Sequence, residues 1–78
     1  MPRINGEVLY KSGRRLRGGQ EYIIGYLTGT KNDEVRLFEK DSTDATFRQG
    51  QKITIVTNGN IITVHNNSLR SKVTGTKF

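Results

Sequence analysis

Residues 52–65 read KITIVTNGNIITVH, two β-branched runs with Asn58-Gly59 between them. Asn-Gly flanked by alternating apolar residues is the strongest short-range signal for a β-hairpin, because the tight turn needs positive φ and these two residues tolerate it. The same grammar recurs along the chain: short alternating or β-branched segments are cut by Gly, Asn, Asp and Ser clusters, and no stretch carries a helical period. Residues 7–10 (EVLY) form a short first strand ended by Ser12-Gly13, and residues 21–28 (EYIIGYLT) form the second, with GTKND (29–33) as its turn. Residues 34–40 (EVRLFEK) make the third, and 52–56 and 61–65 make the fourth and fifth. Between the third and fourth, residues 41–51 form a polar connection whose one bulky apolar residue is Phe47. The tail, residues 66–78, is polar and basic, with a partial strand around 69–73, and is expected to fray.

Five short strands in a 78-residue chain must close on themselves, since an open sheet of this size leaves edges and an apolar face unprotected. The expectation is an all-β single domain, a small five-stranded Greek-key barrel of the OB type, with an SH3-like or Sm-like barrel as the alternative. The third connection separates the two. SH3-like and Sm-like barrels join these strands by a tight turn, whereas residues 41–51 are long enough to cross an end of the barrel, with Phe47 as the plug.

Strand alternation sorts side chains to two faces. In EVRLFEK the apolar row is Val35 and Leu37, so Arg36 and Phe38 face outward with Glu34. In the fourth and fifth strands Ile53, Ile55, Ile62 and Val64 form the core row, which sends His65 outward. The second strand is apolar on both faces; a tyrosine hydroxyl needs a polar partner, which suits an exposed position and argues for Tyr22 and Tyr26 on the outside.

The chain has 13 Lys and Arg against 7 Asp and Glu, a net +6 that favours polyanionic partners. The charge is segregated: residues 1–20 hold five positive and one negative, 21–44 three and six, and 45–78 five and none. Its densest stretch is KSGRRLRGGQ (11–20), with Lys11, Arg14, Arg15 and Arg17. The glycine spacing imitates a nucleotide-binding P-loop, but Gln20 and Glu21 stand where Lys and Ser or Thr must reach phosphate and magnesium. What remains is a hairpin loop presenting guanidinium groups, each able to grip a phosphate with two hydrogen bonds. Tyr22, Tyr26, Arg36, Phe38 and His65 beside that loop would form a platform on which bases stack while cations follow the backbone, the pattern of single-strand binding.

GEVLYKSGRRLRGGQEYIIGYLTGTKNDEVRLFEKD, followed by ATFRQGQKITIVTNGNIITVHNN, resembles the OB-fold modules of replication protein A and the archaeal single-stranded-DNA-binding proteins over residues 6–70. The resemblance implies that the aromatic ending the third strand, here Phe38, stacks on a base, and that the position near His65 carries a second ring. Family members often have tryptophan where this chain has Phe38. No cofactor follows from it.

Catalysis is not expected. With no cysteine, one histidine and scattered carboxylates, the chain offers no nucleophile constellation, paired acid and base, or metal set. No apolar run approaches the roughly 20 residues of a membrane span, and MPRINGEVLY lacks a signal-like apolar region, so the chain reads as soluble and intracellular. Asn66-Asn67-Ser68 therefore carries no glycan expectation. The expected partner is single-stranded DNA or RNA, not a membrane or a small-molecule substrate. A homo-oligomeric ring of the Sm-like type, or an acidic partner protein met by the basic face, are the competing expectations.

Overall fold

The computed structural model describes residues 2–40 and 45–77 of the chain. The first four residues of the expected crossover, 41–44, and the last residue of the tail lie outside the described residues. The elements are β1 (Arg3–Leu16), β2 (Gly19–Thr28), β3 (Lys31–Glu39), β4 (Lys52–Asn58), β5 (Ile61–Asn66) and β6 (Ser71–Lys77). Every neighbouring pair is antiparallel, and the ring closes in the order β1-β2-β3-β6-β5-β4. Two three-stranded meanders thus meet along two seams, β1 with β4 and β3 with β6. Among the described residues no helix is long and apolar enough to cross a membrane.

Among the described residues the expected five strands are six. The segment expected to fray turns back and pairs with β5 from Asn66↔Ser71 to Ile61↔Thr76. One residue anchors it: Val73, buried opposite Val64. SKVTGTK holds a single apolar side chain, too little contrast to reveal an alternating pattern. The first strand is also longer than expected, running through polar residues on both sides of EVLY. Its lower half pairs with β4, where Ile4 and Gly6 face Ile55 and Ile53. Its upper half pairs with β2 as far as Leu16↔Gly19, so the arginine segment is strand rather than loop, with a two-residue turn at Arg17 and Gly18.

The expected hairpin forms, but its turn lies one residue later than Asn58-Gly59: Asn58↔Ile61 is the last pair, and Gly59 and Asn60 occupy the turn. Gly59 takes φ 61° at the first turn position, a conformation costly for any residue with a Cβ. That geometry suits the right-handed twist of the flanking strands.

The interior is filled by Val8, Tyr22, Ile24, Tyr26, Leu37, Ile53, Ile55, Ile62, Val64 and Val73 from the strands, with Ala45 and Phe47 from the crossover. Antiparallel order puts the β1–β2 turn, the β3–β4 crossover and the β5–β6 turn at one end of the barrel, and the other two turns at the opposite end. The crossover seals its end as expected, with Phe47 only 5% exposed. It is tied down on one side by Asn66, which is fully buried and donates from Nδ2 to Thr46 O and to Gln51 Oε1, both at 2.8 Å. The Asn66 Oδ1 accepts from the backbone of Ser68 and Leu69, each at 3.1 Å, so all four hydrogen-bonding positions of the carboxamide are used. On the other side Tyr22 Oη accepts from Ala45 N at 3.4 Å.

Removing the plug should be costly. Phe47→Ala is expected to lower stability by about 3–5 kcal/mol, the usual range for emptying a buried aromatic site. Urea denaturation of the two proteins measures it, and a loss under about 1 kcal/mol would mean that the ring does not fill the barrel end.

Candidate nucleic-acid interface

The local event that shapes the surface is a β-bulge in β1. The register passes from Val8↔Tyr26 to Tyr10↔Gly25, so one extra residue enters at Leu9. A bulge changes which side chains face which way beyond it. Before it, Val8 points inward; after it, Tyr10, Ser12 and Arg14 lie on the outer face, and Lys11, Gly13 and Arg15 share the inner side with Ile24, Tyr22 and Gln20.

The outer face of β1, β2 and β3 is a lattice read directly from the register. Tyr10, Gly25 and Glu34 form one row, Ser12, Ile23 and Arg36 the next, and Arg14, Glu21 and Phe38 the third. Side-chain contacts agree with it. Tyr10 lies flat across Gly25, where a Cβ would collide with the ring, and its hydroxyl donates to Glu34 Oε2 at 2.7 Å. Arg36 Nε donates to the other oxygen, Oε1, also at 2.7 Å. Arg14 Nε stands 3.4 Å from the nearly buried Glu21 carboxylate. Phe38 is half-buried and packs over Gly19, again where a Cβ would clash.

This geometry sets the ionisation of the lattice. The hydrogen bond from Tyr10, with that from Arg36, holds the Glu34 carboxyl below the ordinary carboxylate range. The same bond to Glu34 raises the Tyr10 phenol, and the carboxylate raises Arg36. Inside the barrel Tyr26 is also raised, by burial first and by Asp33 second.

Of the nine residues expected to form the site, the structure brings three together on one outer face, Arg14, Arg36 and Phe38. Arg36 and Phe38 face outward as the alternation implied, whereas Lys11 and Arg15 stand exposed on the other side of the β1–β2 hairpin and Arg17 in its turn. Arg15 and Arg17 form no ion pair with a described residue. Lys11 Nζ lies 5.0 Å above the Tyr22 ring and 3.4 Å from Ala45 O. A groove of about 390 Å³, lined by Lys11, Arg14, Arg15, Gln20 and Tyr22 among others, opens on the hairpin.

Three expectations are corrected. Tyr22 and Tyr26 point into the barrel, at 2% and 3% exposure, because the opposite face of β2 carries Gly25 and cannot fill a core. The Tyr22 hydroxyl meets its polar partners at the barrel end, accepting from Gln20 Nε2 at 3.1 Å as well as from Ala45. His65 does face outward, but from β5, opposite Thr54 and Lys72, on the wall of the ring across from β2. It therefore shares no face with Phe38. The ring that the sequence reading missed is Tyr10, 48% exposed on the same lattice. Its signal was the glycine inside EYIIGYLT, since an isolated glycine in a strand marks the close approach of another group.

No protein-family model, curated protein or solved structure matches the chain.

The Glu34 contact has a measurable consequence. A depressed folded-state value contributes stability that is present above the unfolded value and lost as pH falls through the folded one. In Tyr10→Phe the Glu34 carboxyl should titrate at higher pH than in the parent, closer to an ordinary glutamate, when followed by carbonyl NMR. An unchanged titration would contradict the 2.7 Å hydrogen bond.

Proposed function

We propose that the chain binds single-stranded nucleic acid, with little sequence preference and no chemistry, on the outer face of β1, β2 and β3. One observation carries the reading: two outward rings, Tyr10 and Phe38, share a lattice with Arg14 and Arg36, and that lattice runs up into the exposed basic hairpin. Bases stack on rings at roughly 1–3 kcal/mol each whatever their identity, while guanidinium groups follow the phosphates. A duplex keeps its base faces covered, so rings on an open face favour an unpaired strand.

The barrel supports an OB-like assignment with one strand added. β1 pairs with both β2 and β4, and β3 reaches β4 through a crossover that plugs the barrel end rather than through the tight turn of SH3-like and Sm-like barrels. In OB-folds the outer surface of the second and third strands, flanked by the loop between the first and second, is the usual ligand face. Glu21 and Glu34 sit within the lattice and are engaged by Arg14 and Arg36, so the uncommitted cations of this surface are concentrated on the hairpin. Rings would hold the bases, and the hairpin would hold the backbone.

These two contributions separate experimentally. Titration of labelled oligo-dT and oligo-rU at two salt concentrations should give binding that weakens with salt. Arg14→Ala, Arg15→Ala and Arg17→Ala combined should reduce the slope of log K against log salt by about 2, at roughly 0.7 per phosphate contact. Phe38→Ala and Tyr10→Ala should each weaken binding by about 1–3 kcal/mol with the slope kept. If the parent ignores both oligonucleotides at low salt, the proposal fails and an acidic protein becomes the partner to seek.

A further inference from the structure

The end of the barrel sealed by the crossover carries cations that the lattice does not use. All three connections at this end present an exposed arginine: Arg17 at the β1–β2 turn, Arg48 in the crossover and Arg70 in the β5–β6 turn. The turns at the opposite end, Gly29 with Thr30 and Gly59 with Asn60, contain no charged residue.

The three connections also touch one another. Lys11 on the hairpin reaches Ala45 O, and Asn66 at the β5–β6 turn holds Thr46 O. Gln51 Oε1 accepts from both Asn66 Nδ2 and the backbone N–H of Arg48, each at 2.8 Å. Asn66 in turn shapes the loop bearing Arg70 through its bonds to Ser68 and Leu69. One hydrogen-bonded pair of carboxamides, buried Asn66 and half-buried Gln51, therefore positions the backbone around both arginines. Neither Arg48 nor Arg70 forms an ion pair with a described residue, whereas Lys52 nearby is held by Glu7 at 2.8 Å.

Arg70 adds a second, independent mark. It is the one described non-glycine residue with positive φ, at 55°. That left-handed conformation favours glycine or asparagine, and a strained residue persisting in an arginine side chain points to a role for the side chain. Glycine would serve the turn better.

We propose that the sealed end is a second contact surface for the same ligand: a single strand leaving the lattice passes the hairpin and crosses this end, with Arg48 and Arg70 on its phosphates. The inference rests on the reading of the lattice as a single-strand site. It extends that site over a second side of the molecule, from β1, β2 and β3 to the β5–β6 turn.

The test pairs two double variants of equal charge change. Arg48→Ala with Arg70→Gly removes two cations of the sealed end; Arg3→Ala with Lys31→Ala removes two exposed cations from the opposite end. Binding of a labelled oligo-dT 20-mer is measured across salt concentrations, together with the thermal midpoint of each protein. The first pair should reduce the salt slope by about 1.4 and weaken binding by about fivefold per lost contact at 0.1 M salt, while the second changes the slope little. Arg70→Gly alone should raise the thermal midpoint while weakening binding, a combination that a purely structural arginine would not give. Equal slopes for the two pairs, or parent-like affinity in the first, would overturn the inference and leave the lattice standing. A parent that does not bind the 20-mer at low salt would overturn both.

Discussion

A ring of six short strands with no disulfide has to bring its third strand to its fourth across an open end, and everything displayed on the surface depends on how that end is filled. Phe47 supplies the apolar volume. Asn66 supplies the polar fastening, with every hydrogen-bonding position of its carboxamide used in a site sealed from water. In a low-dielectric interior a fully satisfied polar group specifies one arrangement, and a half-satisfied one destabilises it. The closure thus determines more than stability. It sets where the hairpin, the crossover and the β5–β6 turn stand relative to one another.

The second determinant is the extra residue at Leu9. Without the bulge the alternation of β1 would run on unbroken, and Tyr10 would point inward with Val8. With it, Tyr10 turns outward and rests on Gly25, covering a backbone that has no side chain of its own. Tyr10, Glu34 and Arg36 are then tied together by two short hydrogen bonds. The arrangement holds a ring and a guanidinium at fixed positions on an open face, which lowers the conformational entropy that a flexible ligand's partner would otherwise lose.

Much of this was legible where a strand has one apolar face and one polar face. EVRLFEK has that contrast, so Val35 and Leu37 inward and Arg36 and Phe38 outward followed from alternation alone. KITIV and IITVH have it as well, and a two-residue turn joins them as a hairpin, one residue later than Asn58-Gly59. The second strand lacks it: Tyr22, Ile24 and Tyr26 compete with Ile23, Gly25 and Leu27. The hydroxyl argument sent the tyrosines outward, but a hydroxyl at the end of a long ring can reach the barrel mouth while the ring stays buried. Gly25 decides the matter, and its meaning depends on Tyr10 lying opposite, a pairing that no local pattern carries. The bulge, the sixth strand with its single valine, and the wall on which His65 sits are likewise products of long-range pairing. The charge segregation was plain in the sequence, but its distribution over the two ends of the barrel required the ring order.

The central claim is that rings and guanidinium groups on one outer face receive an unpaired strand. Backbone amide NMR of the whole chain, with oligo-dT added at low salt, tests it residue by residue. Shifts should concentrate at Tyr10, Ile23, Arg36, Phe38 and the hairpin from Lys11 to Arg17, and leave the β4–β5 wall around Thr63 and His65 unmoved. Shifts confined to that wall, with Tyr10 and Phe38 unaffected, would contradict the account.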